Sequence, residues 1–179
     1  AGVPTITAGA LQGTDSVAWT QTYDNKNIGS GNKTMTAAGT VSDGNSGLNY
    51  SVTFATNTTG SITAKSLTIG GTFTANNKVY DATTSATILV NSLTLTGVVG
   101  AETVTLTPVL VFADKNASGT PKTVSLTGSS IAGIDSGNYT LSLTGAPTAS
   151  ANLTARPITV TAVTGTKVYD GTTSSAGVP

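Results

Sequence analysis

Hydrophobic and polar residues alternate with a period of two along much of the chain. In each alternating segment Leu, Val, Ile or Phe lies on one face and mostly Thr or Ser on the other, as a half-buried β-strand requires. Examples are residues 49–54, 92–99, 103–112, 122–128, 139–145 and 157–163. Gly- and Asn-rich turns separate them at residues 27–32, 42–47, 74–77 and 135–138. No window of twelve residues has helical periodicity, so the pattern predicts an all-β chain, with at most one helical turn near residues 46–50 or 132–139.

An internal repeat with a spacing of about 89 residues organises these strands. The tetrapeptide KVYD occurs at residues 78–81 and again at residues 167–170. At the same spacing, residues 25–27, 33–34 and 49–50 match residues 114–116, 122–123 and 138–139. A shared richness in Thr would not keep Lys, Asn and Tyr in the same order. We therefore interpret the pattern as a duplication with small insertions.

A longer period is visible at the two ends, because AGVP opens the chain and also closes it. The simplest interpretation is a tandem array with a period of 175 residues, of which this chain is a piece. Residues 1–65 are then a first repeat that lacks its N-terminal strand, and residues 66–156 are a complete second repeat. Residues 157–179 are the opening strand and turn of the next repeat. The expected architecture is two small sandwich-like or β-grasp-like modules arranged end to end.

The missing strand of residues 1–65 has a physical consequence, because a repeat without it leaves an open edge or an open core. The sequence PITVTAVTGTKVYDGTT, at residues 157–173, supplies that strand and turn to the next repeat. Residues 157–179 are therefore expected to project as a tail or to pair with a neighbouring molecule, as a donated strand or in a filament. Folding back onto residues 66–156 would contradict these boundaries.

Composition excludes several classes of function. The chain has no histidine and no cysteine, which excludes ordinary zinc, haem and iron–sulfur sites and Cys–His or Ser–His catalysis. Eight basic and eight acidic residues give no net charge, which argues against a nucleic-acid partner. No apolar run approaches the roughly 20 residues of a membrane helix, so membrane insertion is not expected. A surface with 9% charged residues, 37 Thr and 18 Ser is typical of extracellular bacterial β proteins.

The repeated motifs resemble a known family. They run in the order KVYD-(G/A)-T-T, a Gly-acidic-Val step, (F/Y)-x-(D/N)-K-N, Lys-Thr, Asn-Tyr and (I/L)-T-A-(K/R). This order resembles the YDG-type repeat domain of large bacterial surface proteins, including filamentous-haemagglutinin-like adhesins and related MBG-type stalk repeats. The resemblance is most specific over residues 66–170. It implies a stalk or spacer of a secreted adhesin at the bacterial cell surface, with no catalytic residue and no cofactor. The implied partners are neighbouring repeats or head-to-tail copies, with surface polysaccharide as a further candidate.

The motif residues are interpreted as structural. The Asp of KVYD can accept a backbone N–H two residues on, and the Tyr can bury its ring. Asp81 is followed by Ala82 where Asp170 is followed by Gly171, which suggests that the turn after Asp81 needs no positive φ. The residues assigned to the structural motif are Lys78, Tyr80, Asp81, Lys167, Tyr169, Asp170, Asn49, Tyr50, Asn138 and Tyr139.

Other hypotheses stay open beside the stalk. Residues 25–27 or 114–116 could hold calcium, although eight dispersed acidic residues make converging ligands uncommon. Thr-rich strand faces, such as those of residues 72–74 and 94–96, could bind ice or a carbohydrate. Trp19 could stack on a sugar, but it has no aromatic counterpart at residues 106–108.

Two covalent or catalytic alternatives carry less weight. An isopeptide bond is conceivable if Lys115 or Lys122 lies near Asn138 and Glu102. An enzyme could use only paired carboxylates, and the two repeats share no such pair. We therefore predict no catalytic site.

Overall fold

The computed structural model describes residues 2–175. Residues 176–179, which hold the second AGVP and the end of the predicted third part, lie outside this range. The secondary structure is almost entirely β, which confirms the predicted fold class. The strands are β1 (Ser16–Tyr23), β2 (Gly29–Ser42), β3 (Asn57–Ile62), β4 (Lys65–Ala75), β5 (Lys78–Val79), β6 (Ser85–Ala86), β7 (Ile88–Thr96), β8 (Thr105–Thr107), β9 (Leu110–Phe112), β10 (Lys122–Ser125), β11 (Ser130–Ala132), β12 (Tyr139–Ser142), β13 (Ala149–Ala151) and β14 (Leu153–Thr154). A 3₁₀ turn at Ser136–Asn138 lies at one of the two expected places.

Residues 16–62 form one antiparallel sheet in the order β1-β2-β3. Its long hairpin pairs Ser16 with Ser42 at one end and Tyr23 with Met35 at the other. Trp19 lies opposite Gly39, where a Cβ would be 2.1 Å from the carbonyl oxygen of Ala18. The glycine therefore leaves room for the close approach of β1 and the indole ring.

Residues 65–154 form several small sheets around strand β4. This strand lies between β12 and β7, parallel to β12 and antiparallel to β7. A second sheet has the order β13-β10-β9-β6, and the pairs β11-β8 and β14-β5 complete the set. Because β4 alternates apolar and polar side chains, it presents Leu67, Ile69 and Phe73 to the core and its threonines to solvent.

Strand pairings recur in the two halves at the spacing read from the sequence. Tyr23 pairs with Met35 in the first half, and Phe112 pairs with Val124 in the second, 89 residues further on. The halves differ where β1 is continuous but its counterpart is divided into β8 and β9. Pro108 lies at this interruption, and it has no N–H to donate to a ladder.

The hydrophobic core belongs to the second half. All nine buried residues of the core cluster lie between Ile69 and Leu153, with Phe112, Val124 and Leu126 among the most buried. Among the described residues before Leu67, Val41 is the only buried hydrophobic side chain. The first half therefore has a sheet without a closed core on its apolar face.

Two predicted strands are wrong, at residues 49–54 and 157–163. Neither segment forms a strand, because no neighbouring strand of the described chain pairs with it. Residues 157–175 are exposed throughout, with Ile158 83% and Val160 87% accessible. This segment therefore projects as a tail, which is one of the two expected arrangements.

Candidate functional site

The first KVYD motif folds into a loop around the ammonium group of Lys78. Lys78 Nζ donates to Asp81 Oδ1 at 2.8 Å, to Thr83 Oγ1 at 2.7 Å and to the carbonyl oxygen of Ser85 at 2.8 Å. Asp81 Oδ1 also accepts the N–H of Thr83 at 2.9 Å, which is the expected turn. The lysine therefore closes the loop by satisfying oxygens that would otherwise need water.

The second KVYD motif has the same loop within the exposed tail. Lys167 Nζ donates to Asp170 Oδ1 at 2.8 Å and to the carbonyl oxygen of Ser174 at 2.9 Å. The loop is therefore formed by contacts within residues 167–174 and needs no core beneath it.

The tyrosines of the two motifs differ in burial. Tyr80 packs against the core, but Tyr169 is 93% exposed, so the expectation that both rings are buried is wrong for Tyr169.

The expected backbone at Ala82 is also wrong, because its φ is 68°, close to the 71° of Gly171. The contacts of Lys78 with Asp81 and of Lys167 with Asp170 hold the two loops in the same shape. In each loop the residue after the aspartate has a left-handed backbone, whether or not it has a Cβ. The alanine pays a steric penalty of about 1–2 kcal/mol in this region of φ.

Replacing Ala82 with glycine should therefore raise the free energy of unfolding by about 0.5–1 kcal/mol, because part of the relief is offset by the larger entropy of glycine in the unfolded chain. Urea denaturation followed by circular dichroism measures the change. The matched control is Ala155→Gly, at an exposed alanine without positive φ, which should leave the stability unchanged or lower it. Equal effects of the two substitutions would contradict the assignment of strain to Ala82.

A tyrosine bound to a carboxylate occurs at equivalent places in the two halves. Tyr50 Oη donates to Asp15 Oδ2 at 2.6 Å and accepts the N–H of Gln12 at 2.8 Å. In the second half, Tyr139 Oη donates to Glu102 Oε2 and accepts the N–H of Val99 at 3.0 Å. The hydrogen bond to Glu102 raises the pKa of the Tyr139 phenol, which stays protonated as a donor. Each contact ties the tyrosine of an Asn-Tyr motif to the residues just before a strand, β1 in the first half and β8 in the second.

A lysine also closes each Asx turn of the (F/Y)-x-(D/N)-K-N motif. Lys122 Nζ contacts the two carboxylate oxygens of Asp114 at 2.8 and 2.7 Å, and Asp114 Oδ1 accepts the N–H of Asn116. Lys33 makes the equivalent bond to Oδ1 of Asn25. The first half therefore keeps the geometry of the turn but replaces an ion pair with a neutral acceptor.

A polar contact joins the two halves of the chain. Lys26 Nζ lies 2.6 Å from Glu102 Oε1 and 3.5 Å from Asp135 Oδ1. The N–H of Ile28 donates to Asn138 Oδ1 at 3.0 Å, and Asn138 Nδ2 donates to Asn27 at 3.2 Å. The turn of the first half therefore docks on the Asn-Tyr segment of the second.

The sequence did not predict this contact. It drew attention to the turn at residues 25–27 and to Asn138, but as separate motifs. The isopeptide hypothesis placed Lys115 or Lys122 near Glu102, whereas Glu102 contacts Lys26 and Tyr139, and Lys122 contacts Asp114. Asn49, the counterpart of Asn138, instead hydrogen-bonds within its own loop, where its N–H and that of Gly47 donate to Asp43.

The loop carboxylates predict how stability depends on pH. The hydrogen bond from Lys78, followed by that from the Thr83 N–H, lowers the pKa of Asp81 from 3.8 to about 2. The pKa values of Asp114 and Asp170 are lowered too, first by Lys122 and Lys167 respectively. Because these folded-state pKa values lie below those of the unfolded chain, the stabilisation is complete above the unfolded value and is lost as the pH falls towards the folded one.

The thermal midpoint should therefore fall as the pH is lowered from 3.8 to about 2. Thermal denaturation followed by circular dichroism at several pH values measures the fall. In Asp81→Asn the fall should be smaller, because that carboxylate no longer titrates. An unchanged pH dependence in this variant would contradict the role given to Asp81.

An open groove runs across the first half, with a cavity volume of about 650 Å³. It is lined by residues 4–11, by residues 50–55 and by side chains of β1 and β2 that include Trp19, Met35 and Val41. The rings of Trp19 and Phe54 meet edge to face there, with centroids 5.5 Å apart. The lining mixes apolar side chains with Thr, Ser and Gln side chains, and Val52 and Phe54 are more than 40% exposed. The groove therefore leaves apolar side chains uncovered, where a ligand or a chain segment could bury them.

Within residues 2–175, no group of three or more acidic side chains could hold a metal ion. The turn at residues 114–116 pairs its carboxylate with Lys122. No helix within the same range is long and apolar enough to cross a membrane.

Part of the chain matches a known protein family. Residues 63–149 match the family model of the YDG domain. This range contains the first KVYD loop, strand β4 and the Glu102–Tyr139 contact. No curated protein and no solved structure matches the chain.

Proposed function

Starting from the YDG domain at residues 63–149, we propose that the chain is a non-enzymatic stalk or spacer segment of a secreted bacterial adhesin or surface filament. In this role it projects a distal adhesive region away from the bacterial cell surface. Its partners are neighbouring repeats of the same chain or head-to-tail copies of it. Such a segment acts through its length, which sets the distance between the cell and the adhesive region.

The observation that carries the proposal is the recurrence of one set of contacts in two successive units that are themselves joined. Tyr50 with Asp15 and Tyr139 with Glu102 make the same hydrogen bonds, and Lys26 of one unit contacts Glu102 of the next. A spacer needs a unit that can be repeated and a defined contact between units. An enzyme or receptor needs instead one site that is unlike its surroundings.

The large accessible surface also supports the proposal. The accessible area is 12154 Å², whereas a compact monomer of this mass exposes about 7,900 Å². The excess comes partly from the tail and the open groove.

A four-copy array joined head to tail tests the proposal by small-angle scattering. A compact particle of that length would have a radius of gyration of about 27 Å. We expect a clearly larger value that rises in proportion to copy number, from one copy to four. A radius that follows the compact scaling would reject the stalk.

A second candidate function has one observation in its favour. The exposed face of β4 and β7 carries a row of hydroxyl groups, with Thr68 opposite Thr96 and Thr72 opposite Ser92. Such a face could bind carbohydrate, including surface polysaccharide, or ice. A glycan array and an ice-recrystallisation assay, each repeated with Thr68→Lys, test this alternative. No binding above background in either assay rejects it.

A further inference from the structure

We propose that residues 156–168 of one copy of this chain enter the groove of residues 4–55 in a second copy, where they take the place that strand β4 has in the second half of the chain. The proposal goes beyond the stalk function, because strand donation could occur whether or not the full protein adheres to anything.

The donor segment has the sequence of a core strand. Ile158 and Val160 match Leu67 and Ile69 of β4 at a spacing of 91 residues, and the KVYD motif follows in both cases. Leu67 and Ile69 are 0% and 4% exposed, whereas Ile158 and Val160 are 83% and 87% exposed. The tail therefore carries apolar side chains that are buried in the matching strand, and it has no core of its own to cover them.

The groove is lined by the two segments that would pair with this strand. Strand β4 lies between β12 and β7 in the second repeat. At a spacing of 89 residues, β12 corresponds to residues 50–53, and residues 94–96 of β7 correspond to residues 5–7. Both of these segments line the groove, and neither forms a strand. The groove thus lies where the repeat pattern places the missing strand.

The strand pairs of the second repeat also define the register expected between donor and acceptor. Leu141 of β12 pairs with Leu67 of β4 in parallel, and Leu153 of β14 pairs with Lys78 of β5. Transferred through the repeat, these pairs place Val52 opposite Ile158 and Ile62 opposite Lys167. Two separate parts of the donor segment therefore have defined partners on the acceptor.

The ion pair between the two repeats predicts a matching ion pair between copies. Lys26 contacts Glu102 within one chain, and their counterparts are Lys115 and Asp15. In the proposed assembly Lys115 of the donor copy faces Asp15 of the acceptor. Because donor and acceptor surfaces differ, each added copy exposes another groove and another tail, so the association extends head to tail.

Single-cysteine cross-linking tests the proposal, since the chain has no cysteine of its own. Chains carrying Val52→Cys and chains carrying Ile158→Cys are mixed with a short bis-maleimide, with tags of different size on the two. We expect a covalent mixed dimer. The matched control replaces Val52→Cys with Leu89→Cys, at another exposed apolar side chain that lies on β7 outside the groove. A mixed-dimer yield no higher than that control overturns the proposal.

The double variant Val52→Cys/Ile158→Cys distinguishes the two possible sources of the strand. Cross-linking only within single chains, with no mixed dimer, would mean that the tail fills its own groove and would also overturn the proposal. Strand donation between copies instead yields covalent oligomers that grow with protein concentration.

Sedimentation velocity provides a readout without cross-linking. Val160→Asp should weaken association at least about ten-fold, because a carboxylate would replace an apolar side chain that packs in the groove. Its thermal midpoint in dilute solution should not change, since Val160 is exposed in the single chain. Unchanged association in this variant would contradict the proposal. Cross-linking of single copies and scattering by the four-copy array can fail separately, so the strand donation and the stalk are tested independently.

Discussion

Replacing Leu67 with alanine should lower the free energy of unfolding by about 2–5 kcal/mol. Leu67 is fully buried in the central strand β4, where it pairs with Leu141 of β12. Truncation removes apolar contacts and leaves a cavity between strands that are fixed on both sides. Urea denaturation monitored by circular dichroism measures the loss.

The matched control is Ile158→Ala, at the position equivalent to Leu67 in the tail. Because Ile158 is exposed, its truncation in dilute solution should change stability by no more than about 0.5 kcal/mol. At concentrations where copies associate, the loss of stability caused by Ile158→Ala should be larger. Equal losses in the two variants in dilute solution would contradict the assignment of a closed core to the second repeat alone.

Replacing Gly71 with alanine should cost about 3 kcal/mol or more. Gly71 has a φ of 77°, and a Cβ there would lie 2.1 Å from the carbonyl oxygen of Ser92 on β7. The alanine therefore suffers both a left-handed backbone and a clash with backbone that is already paired. Relief requires β4 and β7 to separate locally, which opens the sheet over the core.

Gly119→Ala is the control for Gly71→Ala. A Cβ at Gly119 would meet no atom within 4 Å, and its φ is not in the left-handed region, so the change should stay within about 0.5 kcal/mol. Thermal and urea denaturation of the two variants give the comparison. A loss below 1 kcal/mol in Gly71→Ala would show that β7 can move away without cost.

Four of the six alternating segments lie on strands, namely β7, β8 with β9, β10 and β12, because alternation is a local property; none of the six covers the central strand β4 or the β1–β2 hairpin. The pattern was wrong at residues 49–54 and 157–163 for a shared reason. In the strand donation proposed above, Val52 of the first segment and Ile158 of the second would be partners of each other. A period of two predicts that a segment can pair, but the partner must be within reach for a strand to form.

The repeat spacing was more informative about sites than residue type was. It indicated that Tyr50 and Tyr139 have equivalent roles, and both bind a carboxylate. It did not predict that Lys26 contacts Glu102, because that pair joins two units and depends on how one docks on the other. At Ala82, residue type led to a wrong prediction. Alanine disfavours a positive φ, but the hydrogen bonds around Lys78 hold the loop in a shape that requires one.

The parallel pairing of β4 with β12 has a mechanical consequence. Strand β4 follows directly on the first repeat, and β12 lies near the end of the second, so tension along the chain pulls these neighbours in opposite directions. Their hydrogen bonds, from Tyr139–Lys65 to Ser142–Thr68, are then loaded in shear and must break together. The parallel pair of β14 and β5 carries load in the same way. A unit built like this resists stretching far more strongly than one whose end strands can be unzipped one bond at a time.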